Sequence, residues 1–255
     1  MNHSKPITVI LPCAGKGSRL GIDGPKELFE IFPDRRLIDF SLDHIRAAHH
    51  AGLNLELRVV ICEGKEAVIA YVRKKLPDLP VHTTYADDRF EEWPGSIHPA
   101  CTDIAQKAIV LLPDTVIRVS ETDQFKSING RGLLESLNEA LDHYPWALSV
   151  KSCQDAHVIQ NMGAVFISET GNIIRFQDKP NSSKNYNGYW GCMGFLKPIS
   201  RKLYDFLIAS VQKKLSTDEI PEHLTPVASI PLHNYTDLGT WESIKKFRNT
   251  DCFCD

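Results

Sequence analysis

The chain has 255 residues, 42% of them hydrophobic and 24% charged, with a formal net charge of −3. This is the composition of an ordinary globular protein, and the slightly acidic balance excludes a general nucleic-acid surface, which would carry a basic excess. No apolar run reaches the ~18 residues needed to cross a bilayer, so no membrane partner is expected. The polar start, Met1 to Pro6, has no secretory pattern, and the seven cysteines lack metal-finger spacing, so a cytoplasmic setting is expected.

The first apolar run, 7–11, is β-branched and aliphatic and predicts a buried strand. It leads straight into Cys13-Ala-Gly-Lys-Gly-Ser-Arg19, and Gly24-Pro-Lys-Glu-Leu28 follows closely. Glycines let a backbone turn tightly and bring its N–H groups to a polyanion, while Arg19 and Lys26 add positive charge at the same strand end. A loop of this build holds phosphates. It is not a Walker loop, and the third glycine of a dinucleotide fingerprint is missing. A plain strand–turn–helix corner would account for Gly-x-Gly alone, but not for the whole run with both bases in place.

Apolar residues at three- and four-residue spacing from Leu37 predict a helix closing before Gly52. A strand over 55–62, a helix over 66–75 stopped by Pro77 and a strand over 81–85 follow, then a partly helical 96–106 and a central strand over 108–112. This alternation argues for a mostly parallel sheet covered on both faces. Later strands are expected at 147–150, 164–167, 173–177 and 191–196, with Gly171-Asn172 as a hairpin signal. Helices are expected at 132–143, 199–214 and 240–247.

Asp114 follows the buried run 108–112 in Pro-Asp-Thr, where an open parallel sheet binds its ligands. A carboxylate there suits Mg²⁺ beside phosphates, and a turn aspartate would read the same way. Asp237 is either a second such acid or a residue complementing a helix start capped by Thr240. The ten histidines show no ligand spacing and fit surface or core roles. Cys252 and Cys254 fit a frayed tail better than a metal pair.

The run Leu11-Pro-x-Ala-Gly-x-Gly-Ser-Arg19 with Pro25-Lys26 resembles the signature of the sugar-1-phosphate nucleotidyltransferases, in wording most like the bacterial UTP–glucose-1-phosphate uridylyltransferases. Tyr235-Thr-Asp-Leu-Gly-Thr240 resembles the family's Asp-x-Gly-Thr box. Asn161-Met-Gly-Ala-Val-Phe166, with Phe176-Gln-Asp-Lys-Pro180 after it, resembles the family's glycine strand and its Phe-x-Glu-Lys-Pro. The resemblance implies a Rossmann-like α/β fold of the nucleotidyltransferase/GT-A kind. Its mixed, mainly parallel sheet would carry helices on both faces in a single domain 1–255, with a nucleotide half to about 130 and an acceptor half from about 131.

By the same resemblance the enzyme couples a nucleoside triphosphate to a sugar 1-phosphate and releases pyrophosphate. Leu11, Ala14, Gly15, Lys16, Gly17 and Ser18 would hold the nucleotide, and Arg19, Lys26 and Lys179 would act on the phosphates. Asp114 and Asp237 would hold Mg²⁺, and Gly163, Asp178 and Lys179 the acceptor. Two departures stand out. Asp178 is one methylene shorter than the family's glutamate, and the base-reading glutamine is replaced by a segment with Asp87, Asp88, Gly95 and Ser96. Asp87 or Asp88 could accept from guanine or cytosine, or be exposed loop acids. A cytidylyl- or guanylyltransferase for a non-sugar phosphate such as a cyclitol phosphate is therefore the closest alternative, ahead of a GT-A-type glycosyltransferase. The oligomeric state is left open, a homo-oligomer included.

Overall fold

The computed structural model describes residues 5–15, 17–86, 93–121 and 130–250. The β-branched run forms β1 (Ile7–Pro12), followed by a 3₁₀ turn (Lys26–Leu28) and a small hairpin of β2 (Glu30–Phe32) and β3 (Arg35–Arg36). The expected alternation then appears as α1 (Asp39–His50), β4 (Leu55–Ile61), α2 (Glu66–Lys75), β5 (Val81–Tyr85), α3 (Trp93–Cys101) and β6 (Lys107–Leu111). Next come β7 (Thr115–Arg118), α4 (Leu133–Ala140), β8 (Trp146–Ser152), α5 (Ala156–Asn161), β9 (Gly163–Ile167), β10 (Ile173–Asp178) and β11 (Gly188–Leu196). The chain finishes with α6 (Ser200–Val211), β12 (Val227–Pro231), β13 (Asn234–Asp237) and α7 (Trp241–Thr250).

Nine strands form one mixed sheet. Its first part is parallel, with β6, β1, β4 and β5 side by side. The long β11 runs antiparallel to β6 and β8 and joins β9 to the rest, and β10 pairs β9 as the hairpin that Gly171, at φ +82°, turns. Side chains alternate across β1. Val9 and Leu11 pack under α1, α2 and α4, whereas Ile10 faces α3 and α6. A third apolar cluster, around Leu20, Phe40 and Phe247, ties the segment after the glycines to α7. Among the described residues no helix is long and apolar enough to cross a membrane.

His44 is a core histidine. It is buried on α1, its Nε2 lies 3.1 Å from the Ile117 carbonyl, and burial lowers its pKa to about 4. The unfolded chain takes up this proton from about pH 6.5 downward while the folded chain does not. Stability unaffected above that pH is therefore lost as the pH falls towards 4. The variant H44Q, which can still donate to Ile117, is expected to recover about 2 kcal/mol at pH 5. Urea unfolding of both proteins at pH 5 and pH 8 checks this, and an unchanged acid sensitivity would refute it.

Candidate active site

The site lies beyond the carboxyl ends of β1 and β6, where an open sheet leaves room for a ligand. Leaving β1, the chain turns through Cys13, whose amide donates to the Val60 carbonyl at 2.7 Å, and enters the glycines. Gly17 has φ +65°, a conformation open to glycine at little cost. The Lys26 side chain lies across this loop. A Cβ placed on Gly17 would sit 3.2 Å from the Lys26 Cβ, and one on Gly15 would meet the end of the same side chain. Gly17 is thus needed on both counts, whereas a Cβ on Gly15 would make only an ordinary van der Waals contact with Lys26.

The Lys26 ammonium donates to Asp114 Oδ2 at 2.5 Å. Burial opposes the charge on Lys26, but the carboxylates of Asp114, Glu27 and Asp237 together outweigh it, Asp114 foremost, and hold the pKa above the usual lysine value. Asp114 stands in the turn after β6. The Ser41 and Thr115 hydroxyls both donate to the Leu112 carbonyl that opens the turn, at 2.7 and 3.0 Å. The turn chemistry expected at Pro-Asp-Thr is therefore present, with the Asp114 carboxylate paired to Lys26.

Asp237 arrives by a route that periodicity does not reveal. β7 and β13 form a separate antiparallel ribbon in which Asp237 is opposite Thr115, and the Leu238 amide donates to the Asp114 carbonyl at 2.9 Å. The ribbon seats the two acids next to one another. Burial, then the Asp114 charge, raises the Asp237 carboxyl above its ordinary range, opposed by the Gly239 amide at 2.6 Å and by Lys26 and Arg19. Asp237 is nonetheless open to solvent on one side, so screening keeps that shift modest. Two hard carboxylate oxygens beside the glycine loop fit Mg²⁺, which takes one or two carboxylates and fills its shell with other oxygens and water. Among the described residues no three His, Cys, Asp or Glu side chains converge, which leaves no ready-made cage for a transition metal.

The structure also brings the acceptor candidates together. Gly163 and Asp178 are direct cross-strand partners in the β9–β10 hairpin. Asp178 is buried, and burial raises its carboxyl while Lys179, Lys213 and a hydrogen bond donated by the Trp93 side chain work the other way. Lys179 is an exposed non-glycine residue at φ +43°, strained backbone at a candidate functional position. Its carbonyl and that of Asp178 both accept from the Lys213 ammonium, so the turn is held from behind. Gly163 has a packing reason of its own, since a Cβ there would fall 1.9 Å from the Trp190 indole nitrogen. Trp190 in turn lies 5.2 Å, centroid to centroid, from Trp93. The next residue, Gly191, admits the Tyr235 ring of the ribbon. Through these two residues β11 touches the Gly163–Asp178 pair on one face and the β7–β13 ribbon on the other.

Other candidates fall differently. Leu11 is fully buried in the core and can offer a ligand only its backbone. Ser18 and Arg19 are exposed at the loop, and Ala14 is half-buried. Gly95 and Ser96 lie in the first turn of α3, where the Ser96 hydroxyl donates to the Trp93 carbonyl at 2.7 Å. Lys16, Asp87, Asp88, Cys252 and Cys254 lie outside the described residues.

Two further residues belong to the site and were not singled out by the sequence. Glu27, directly after Lys26, is completely buried and ion-paired with Lys65 at 2.9 Å beneath the glycines. Its place in Pro-Lys-Glu-Leu was a signal. Lys65, at the start of α2, gave none.

No family model matches the sequence, and no curated protein matches it. Solved structures do match in fold. A UDP-glucose pyrophosphorylase complexed with UDP-glucose superposes with a TM-score of 0.70 at 15% identity, covering 96% of this chain and 97% of that one. A UDP-glucose pyrophosphorylase from Acinetobacter baumannii gives 0.68 at 16% identity, covering 96% and 92%. A nucleoside-diphosphate-sugar pyrophosphorylase from Vibrio cholerae gives 0.67 at 14%, covering 94% and 99%. The expected α/β architecture is thus the observed one, shared over nearly the full length of these structures.

Proposed function

We propose that the protein is a nucleotidyltransferase that joins a nucleoside triphosphate to a sugar phosphate or a close analogue and releases pyrophosphate. The observation that carries this reading is the pairing of Lys26 with Asp114 across a glycine loop, with Asp237 fastened beside them by the ribbon. A glycosyltransferase of similar fold would need the acids but not a lysine and an arginine to manage a triphosphate. The shared fold with nucleotide-sugar pyrophosphorylases supports the same reading. All five described cysteines are unpaired, which supports a cytoplasmic setting.

The acceptor phosphate oxygen attacks the α-phosphorus in line, and the bond from that phosphorus to the β-phosphate oxygen breaks, so that pyrophosphate leaves with its electrons. No general base is needed, since the attacking phosphate is already ionised at neutral pH. The protein's work is positioning and charge neutralisation. Loop amides and Arg19 hold the β- and γ-phosphates, Lys26 meets the α-phosphate as charge builds, and Lys179 brings in the acceptor phosphate against repulsion. Mg²⁺, held by Asp114 and Asp237, would supply further charge neutralisation. Residues from about 1 to 130 serve the nucleotide and those from about 131 the acceptor.

Pyrophosphate release across five nucleotides, set against sugar 1-phosphates and cyclitol phosphates, tests the activity and identifies both substrates. A folded protein that releases none from any pair refutes it. Asp178 should hydrogen-bond an acceptor hydroxyl, and a buried carboxylate left unpaired is costly. D178N is therefore expected to raise the acceptor KM roughly 10–100-fold, with the nucleotide KM within about threefold. A variant that changes nucleotide choice but keeps acceptor kinetics would show the two halves assigned the wrong way round.

A further inference from the structure

Resting on the triphosphate-binding reading above, we infer that Lys65, paired with Glu27, is a positioning residue that sets the glycine loop for the nucleotide from beneath. The Lys65 ammonium donates to the carbonyls of Cys13 at 2.8 Å and Gly15 at 2.6 Å, and to Glu27 Oε1 and Oε2 at 3.0 and 2.9 Å. An ammonium has three protons. Two go to the carbonyls and the third is shared by the carboxylate, so none is left for a substrate. Whatever Lys65 does for the reaction it does through the loop.

A trans peptide points its C=O and the following N–H in opposite directions. The Cys13 carbonyl turned down to Lys65 therefore leaves the Ala14 amide on the opposite side of the backbone. From above, the Lys26 side chain packs on Gly17 and Gly15. The loop is clamped between two lysines, and the two are coupled because Glu27 follows Lys26 in the same 3₁₀ turn. The Glu27 carbonyl is tied in as well, accepting from the Ile38 amide at 3.0 Å. A buried ion pair is a weak source of stability, since apolar substitutes often do as well. A pair of apolar residues could not, however, hold two carbonyls of the loop.

The test measures binding of ATP, CTP, GTP, UTP and dTTP with Mg²⁺ by calorimetry, without acceptor, alongside thermal unfolding and binding of the acceptor phosphate alone. The double variant E27Q/K65M removes both charges together and so leaves no buried ion unpaired. It is expected to fold and to bind the parent's preferred triphosphate roughly 10-fold or more weakly, the scale of losing two hydrogen bonds that order the loop. Acceptor affinity should stay within about threefold. If E27Q/K65M does not fold, E27Q/K65Q, whose two amides can bond to each other, is judged by the same criteria.

A folded double variant that binds triphosphate like the parent overturns the inference, as does equal weakening towards triphosphate and acceptor. A parent that binds no triphosphate overturns the proposed function and this inference with it. A parent whose binding survives unchanged in the double variant overturns the inference alone.

Discussion

Replacing Lys26 with alanine is expected to lower kcat by roughly 10²–10³-fold, the scale of losing one preorganised electrostatic contact. The ammonium sits 2.5 Å from Asp114 at the mouth of the glycine loop, and its pKa stays raised because Asp114, with Glu27 and Asp237, more than offsets the effect of burial. On the proposed mechanism its loss leaves the charge that builds on the α-phosphate without its nearest cation. The same loss frees Asp114 from its partner, so the Mg²⁺ concentration for half-maximal rate should stay level or fall while turnover drops. A merely structural lysine would not produce that split. Its methylene stem also packs on Gly17, so K26A removes packing along with charge. K26M keeps the stem, and it is expected to lose the same turnover with a Tm closer to the parent's. A K26M protein turning over within a few-fold of the parent would refute the role.

Much of the frame of this site is visible in the chain. The helix Glu66–Lys75 matches its expected bounds because it is a periodic apolar segment stopped by Pro77, and the strand Val81–Tyr85 matches as a short β-branched and aromatic run. The glycine loop, Lys26 and Asp114 are local in sequence, so their motifs carry over directly. What could not be read is long-range. β13 is four residues long and pairs β7 across more than a hundred residues, so no window of sequence shows that Asp237 ends opposite Thr115. The β2–β3 hairpin, β7 and β12 were likewise too short or too dependent on their partners to stand out. Glu27 and Lys65 would be taken as surface residues, because charged side chains are almost never fully buried unless paired, and pairing is invisible in sequence. Gly163 shows the reverse case. Its motif suggests contact with an acceptor, and the fold adds an independent need for glycine in the Trp190 indole packed against it.

Replacing Asp237 with asparagine is expected to lower turnover roughly 10³-fold or more, because on the proposed mechanism the divalent ion would be left with one carboxylate in place of two. The substitution is nearly isosteric and keeps an oxygen to accept from the Gly239 amide, so the ribbon should persist. The pH dependence separates a ligand from a helix-start acid. Burial and the neighbouring Asp114 raise the folded-state pKa of Asp237. A carboxyl whose pKa is raised on folding costs no stability below its unfolded pKa; the cost to the metal-free fold grows as the pH rises from the unfolded to the folded value and is complete above it. At pH 7 metal-free D237N should therefore melt no lower than the parent and about 1–2 °C higher, a small gain because the residue is partly open to solvent. The difference should vanish towards pH 3. Added Mg²⁺ should raise the parent's Tm more at pH 7.5 than at pH 5, where ion and proton compete for the carboxylate, and should leave D237N unmoved at both. If Asp237 only complemented the start of α7, D237N would lose stability at neutral pH and keep its turnover. That pair of results would overturn the shared-ion assignment.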